Sequence, residues 1–219
     1  MTETGCHAGQ AVNKTPQSSD ALVRDRLKQL RQEQRQTADD FIACIKSENA
    51  QGLPPCLEKL RKHEAFLLGF RAAARLENVS ETVRMAFLGI WEVHGDALRG
   101  EIRQDVTLID GLWRLLPSYS GPQMTLFRGE SARNRRYRTY GLSWTADKDV
   151  AEDFAEYAAR HEVGGGVLLR CVAPATAIIS APAIQGDRYG EQEYLVDRRR
   201  LTSIDVLERF SQTLHIPED

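Results

Sequence analysis

The hydrophobic pattern of this chain changes period once, around Tyr119-Ser120-Gly121-Pro122, and that change limits the fold more than any other feature. Before it, apolar residues recur at three- and four-residue steps, the spacing of one face of a helix. After it, short apolar runs alternate with glycine and proline, the texture of strands joined by turns. Helices followed by many strands, without a regular helix between successive strands, belong to the α+β class and not to a doubly wound sheet.

Residues 1 to about 19 are rich in Thr, Ser, Gly, Gln and Asn and have little to bury, so they read as a disordered lead-in. Ser18, Ser19 or Asp20 could cap the helix that follows. Its stripe is Val23, Leu27, Leu30, Ala38, Phe41, Ile42 and Ile45, and Gly52-Leu53-Pro54-Pro55 breaks it. A second helix carries Leu57, Leu60, Leu67, Leu68 and Phe70. A third, entered after Asn78 or Ser80, carries Val83, Phe87, Ile90 and Trp91. A fourth carries Val106, Ile109, Leu112, Trp113 and Leu116 and stops at Pro117. Residues 20–118 therefore form a helical region of three or four amphipathic helices whose apolar faces need partners. Arg24, Arg26, Lys28 and Arg31 are interleaved with acids and glutamine and read as a solvated face. His63 and His94 stand alone and read as surface or packing residues.

Composition narrows the function classes. Hydrophobic residues make up 42 % and charged ones 27 %, a balance that buries a core in a soluble globular protein. The formal net charge of -2 gives no global attraction to nucleic acid or an anionic membrane, and neither is an expected partner. No apolar run approaches the roughly 20 residues that span a bilayer. The first fifteen residues lack the apolar segment of a secretory signal. Cys6, Cys44, Cys56 and Cys171 have no metal-ligand spacing and read as reduced thiols of a cytosol-type compartment, with neither structural zinc nor a disulfide framework.

In the region 119–219 the strand candidates are Met124 to Arg128, closed by Gly129; Gly141 to Thr145; Val167 to Val172; Ala177 to Ser180; Tyr194 to Val196; and Ile204 to Phe210. One helix interrupts them, with Val150, Phe154, Tyr157 and Ala158 on one face and Asp147 or Thr145 as its cap. Gly164-Gly165-Gly166 ends it. The run from Arg133 to Arg138 reads as an exposed basic loop, 181 to 190 as a second loop, and Asp197 to Arg200 as a turn.

Three features stand at strand ends. Arg128 closes the first strand, Ser143 and Thr145 the second, and Glu191 and Glu193 open a later one. In a strand, residues i and i+2 share a face, so the two glutamates would lie side by side. Each has a plain alternative: Arg128 as half of a salt bridge, Ser143 and Thr145 as helix caps, Glu191 and Glu193 as the solvated start of an edge strand. Taken together they suit one chemistry. A guanidinium holds phosphates through paired hydrogen bonds. A hydroxyl orients a carboxylate. A carboxylate stabilises an oxocarbenium-like centre at a sugar.

The order Leu126-Phe127-Arg128-Gly129, then Leu142-Ser143-Trp144-Thr145 before a helix, then Gly190-Glu191-Gln192-Glu193-Tyr194-Leu195-Val196, resembles the mono-ADP-ribosyltransferases of the Arg-Ser-Glu class over residues 122 to 210. The resemblance implies a split β-sandwich as the catalytic domain. It implies NAD as substrate, no metal, and transfer of ADP-ribose to a protein side chain with release of nicotinamide. Arg128, with Gly129 beside it, would bind the NAD phosphates and the nicotinamide-side ribose. Ser143 would orient Glu193, with Thr145 supporting the strand end. Glu193 would be the catalytic glutamate, and Glu191 would activate an acceptor arginine. The loop Ile184 to Gly190 takes the place of the family's recognition loop, with Tyr189 as its aromatic contact.

By the same analogy the setting is a toxin or effector acting in the cytosol of its own or a recipient cell, on an arginine-bearing protein target. A regulatory or inhibitor protein could dock on the helices. No Gly-x-Gly-x-x-Gly follows a strand, so a Rossmann site is not indicated. Against the family's pattern, the segment between Arg128 and Ser143 is short, with no helix expected. Two alternatives stay open: an NAD glycohydrolase using the same site, and a binding module without turnover.

Overall fold

The computed structural model describes residues 19–181 and 192–213. The lead-in up to residue 18 therefore lies outside the described residues, and so does Ser18. Ser19 and Asp20 are already inside the first helix, α1 (Ser19–Lys46).

Only the second half of α1 is buried, through Thr37, Ala38, Phe41, Cys44 and Ile45. Leu22, Val23, Leu27 and Leu30 remain exposed. Asn49 caps a short 3-10 turn, and α2 (Leu53–Lys62) begins at once. Pro54 and Pro55 thus start a helix instead of only breaking one, because the first turn has no use for their missing N–H. The expected second helix is in fact two. The chain bends through Glu64, at a φ of 52°, before α3 (Phe66–Ala73). Then come α4 (Glu81–Ile102), which ends on Arg103 in the left-handed region, and α5 (Asp105–Leu115). Five helices stand where three or four were expected. Phe70 lies at their centre, its ring centroid 6.1 to 6.5 Å from those of Phe41, Phe66 and Phe87.

The second half contains β1 (Met124–Ser131), α6 (Ala132–Tyr137), β2 (Ser143–Thr145), α7 (Lys148–His161), β3 (Gly166–Ala173), β4 (Ile178–Ser180), β5 (Glu193–Val196) and β6 (Asp205–Phe210). These strands hydrogen-bond into one antiparallel sheet in the order β4-β5-β2-β1-β3-β6. The fold class is α+β.

Three local expectations are corrected. The basic run Arg133 to Arg138 is not a loop. The Ser131 hydroxyl accepts from Asn134 N and starts α6, which Arg138 closes in the left-handed region. β1 does not stop at Gly129 but continues to Ser131, paired with β3 throughout. Finally, α7 buries Ala151, Ala155, Ala158 and Ala159, while Phe154 and Tyr157 are exposed. The cause is close packing. A Cβ on Gly129 would overlap the α7 backbone at Ala151 and Ala155, so only small residues fit between helix and sheet.

The helices pack onto the sheet. Leu142, Ile179 and Leu195 share one core cluster with α1 to α5. A second cluster holds Leu126, Tyr140, Trp144, Leu169 and Cys171, and Trp144 is buried as expected. Cys44, Cys56 and Cys171 are free thiols, and burial pushes Cys171 up to about 12. No helix among the described residues is long and apolar enough to cross a membrane.

Candidate active site

The short strand β2 aligns the hydroxyl residues with the glutamate. Its register sets Thr145 opposite Glu193 and Ser143 opposite Leu195. Ser143, Thr145 and Glu193 therefore project from one face, with Ser143 and Glu193 as diagonal neighbours. The Ser143 hydroxyl donates to Oε1 of Glu193 at 2.5 Å. A second donor, Nε1 of Trp91 on α4, reaches the same oxygen at 3.4 Å. Both donors converge on Oε1, and among the described residues no hydrogen bond to Oε2 is formed.

Thr145 works at the end of the strand. Its hydroxyl accepts from Asp147 N at 3.0 Å, and the Asp147 carboxylate accepts from Asp149 N at 2.9 Å. Of the two expected caps Asp147 is the one that caps α7, and Thr145 instead holds the backbone of Asp147.

Arg128 lies in the interior of β1, and its guanidinium is held on two sides. Nη1 donates to the Ser143 carbonyl at 2.5 Å, and Nε donates to Glu130 Oε2 at 2.9 Å. The salt bridge that was its plain alternative is thus formed, and it fixes the guanidinium at the cleft. A Cβ on Gly141 would overlap Nη2, so the glycine makes room for the side chain.

Glu130 is 6 % exposed and also accepts from the backbone N–H of Ser131 and of Gly141, each at 3.0 Å, and from Asn134 Nδ2 at 2.9 Å. Burial alone would push its carboxyl up. The Arg128 charge and these hydrogen bonds outweigh burial and hold it below the usual carboxylate range.

These residues line a cleft of about 690 Å³, within the ~300–1,000 Å³ typical of small-molecule sites. One wall is the stretch of α4 that carries Trp91, Glu92, His94 and Asp96. The floor is Phe127, Arg128, Gly129, Ser143, Thr145 and Glu193, and the far wall is Val150 and Phe154 of α7. The arginine, Ser-x-Thr and glutamate features, far apart in sequence, thus meet in one cavity. Glu191, Tyr189 and the loop Ile184 to Gly190 lie outside the described residues.

Two contributors were missed by sequence reasoning. Glu130 shares a strand face with Arg128 at i+2, and that alternation was a usable signal once β1 was known to pass Gly129. The sequence places Trp91 in the helical core, which it joins. Nothing local marks an indole for a carboxylate 102 residues away. His94 lies in the cleft wall and not merely on a helix surface.

Comparison of the chain with protein-family models, curated proteins and solved structures finds no match. Among the described residues no group of His, Cys, Asp or Glu is arranged to hold a metal ion.

Proposed function

We propose that the protein is a mono-ADP-ribosyltransferase with a catalytic half of the split β-sandwich type. It would move ADP-ribose from NAD to a protein side chain, most readily an arginine. The observation that carries this reading is the hydrogen bond from Ser143 to Glu193 inside a cleft that also holds the Arg128 guanidinium.

In the proposed reaction the bond between nicotinamide and the ribose anomeric carbon breaks, and the nitrogen keeps the electron pair. The ribose carbon gains oxocarbenium character. Glu193 is the catalytic residue: with Oε1 held by Ser143 and Trp91, its Oε2 faces the ribose and stabilises the developing positive charge. Arg128 supplies the free N–H groups of its anchored guanidinium to the diphosphate. Phe127 and Phe154 offer apolar surface for a flat ring. A guanidinium nitrogen of the acceptor then bonds to the anomeric carbon and loses a proton, a step in which Glu191 is the proposed base.

The charge balance of the cleft favours a cationic acceptor. Among the described residues its lining carries the acids Asp96 and Glu193 and one guanidinium, Arg128. NAD brings its own anionic diphosphate to Arg128, and Asp96 on the α4 wall would then face the acceptor guanidinium.

The test is nicotinamide release from NAD by the purified protein, with and without agmatine, for the parent and for Glu193→Gln and Glu191→Gln. Release abolished in Glu193→Gln, with agmatine modified only when Glu191 is intact, is the expected result. Free ADP-ribose as the only product would make the protein a glycohydrolase. No release and no NAD binding would overturn the enzymatic reading.

A further inference from the structure

A second concavity, of about 670 Å³, lies where α3, α5 and the Arg198–Arg200 turn meet. Four arginines line it: Arg71 on α3, Arg75 just beyond its end, Arg114 in the last turn of α5, and Arg200. Asp110, the single acid among the described lining residues, is taken by Arg199 at 2.8 Å. Asp197, beneath the groove, is fully buried and accepts from Trp113 Nε1 at 3.0 Å and from Arg199 at 2.8 Å. These partners outweigh its burial and keep it below the usual carboxylate range.

The acids of the neighbourhood are thus already matched, while among the described residues Arg71, Arg75 and Arg114 have no acidic partner, and Arg200 pairs with Asp197 and donates to the Thr176 carbonyl at 2.7 Å. Among the described residues Arg71 reaches only the neutral Gln104 amide, at 3.1 Å. Among the described residues Arg75 and Arg114 make no side-chain hydrogen bond or ion pair. Arg200 is 3.5 Å from Asp197 and lies over the Trp113 ring at 4.5 Å, which holds its guanidinium in place along the wall. Basic side chains near the ends of α3 and α5 do complement two helix dipoles, an effect confined to the last turns, where Arg71 and Arg114 lie. It does not account for four converging guanidinia in a chain whose formal net charge is -2.

We propose that this groove binds a ligand carrying two or more phosphates. Guanidinium groups pair with phosphate oxygens through two parallel hydrogen bonds. Three guanidinia without an acidic partner match a ligand of several negative charges, where a single phosphate would engage only part of the set. Arg200 already covers a face of Trp113, so the site recognises clustered charge and not a nucleobase. The groove lies beyond the opposite end of β5 from Glu193, and its arginines are separate from the candidate cleft. The inference does not rest on the proposed activity.

The test is calorimetric titration of the full chain with inorganic tripolyphosphate and with orthophosphate at about 0.15 M salt. The variants are Arg75→Ala/Arg114→Ala and, separately, Arg128→Ala. The expected result is one tripolyphosphate per chain, binding at least tenfold tighter than orthophosphate. That affinity should fall at least tenfold in Arg75→Ala/Arg114→Ala and persist in Arg128→Ala. ADP and a doubly phosphorylated peptide, titrated in parallel, tell a free nucleotide from a phosphoprotein as the source of the phosphates.

Absence of saturable binding would overturn the proposal. So would binding lost in Arg128→Ala but kept in the double variant, since the anion would then be in the cleft. Equal affinity for an oligoglutamate of matched charge would also overturn it. The double variant changes only exposed side chains, so an unchanged melting temperature should accompany the loss.

Discussion

The Ser143 hydroxyl stands 2.5 Å from Oε1 of Glu193, although 50 residues separate the two in sequence and their backbones are offset by two positions across β2 and β5. A hydrogen bond to a carboxylate of this kind contributes roughly 1.5–3 kcal/mol. If it holds Glu193 in its working rotamer, Ser143→Ala should lower nicotinamide release by about 10- to 100-fold, since about 1.4 kcal/mol is a factor of ten in rate. Melting temperature should change little, because Ser143 is only half-buried. A variant with full activity would mean that Glu193 needs no such support.

Glu130 anchors Arg128 from beneath, and Glu130→Gln leaves the guanidinium without its countercharge. Breaking a buried pair in this way costs about 3–5 kcal/mol. The neutral amide keeps an acceptor for Gly141, so about 3 kcal/mol is expected. The pH dependence follows from the sign of the shift. The folded carboxyl titrates below its unfolded value of about 4.3. Its contribution is complete above that pH and is lost as the pH falls through the folded value. Urea unfolding should therefore separate the parent from Glu130→Gln fully at pH 7, with the gap narrowing progressively below about pH 4.3. A gap that stayed constant down to pH 2 would assign the loss to packing.

Trp91 is the contribution of the helical half to the candidate glutamate. Its hydrogen bond is long at 3.4 Å and should be worth about 0.5–1.5 kcal/mol. Trp91→Phe should then reduce nicotinamide release by about two- to tenfold while keeping most of the buried ring. Gly95→Ala offers an independent check. A Cβ there would come within 2.9 Å of the Trp91 ring and push it aside. The two variants should lose activity to a similar degree. A Trp91→Phe variant as active as the parent would limit Trp91 to packing.

Much of this architecture was legible in the chain, and the parts that were not have identifiable causes. The helical stripes marked by Phe41, Leu60, Phe87 and Leu112 are core in the structure, because a 3.6-residue period survives any tertiary arrangement. The break at Glu64 is not legible in the sequence because the apolar spacing runs across it, and a positive φ at a glutamate leaves no compositional mark. The buried face of α7 departs from its apolar pattern for a different reason. Phe154 and Tyr157 carry more apolar area than Ala151 and Ala155, but the distance between helix and sheet admits only the alanines. At the site, Arg128, Ser143, Thr145 and Glu193 were named from their places near strand ends. Trp91 depends on how closely α4 approaches Glu193, a relation no local pattern encodes.

The same close packing makes Gly129 a sensitive position with two separable effects. A methyl group there would collide with the α7 backbone at Ala151 and Ala155, which no rotamer change can relieve. Inserting volume into so tight an interface costs about 1–3 kcal/mol, through displacement of the helix. Gly129→Ala should therefore lower stability by about that amount. Moving α7 would also shift Val150 and Phe154, which form the far wall of the cleft. Substrate affinity should weaken more than the chemical step does, because Ser143 and Glu193 belong to β2 and β5, away from the collision. Denaturant unfolding, with NAD saturation of nicotinamide release measured on the same preparation, separates the two effects. A stable variant with unchanged NAD dependence would show that α7 is not held where Gly129 sets it.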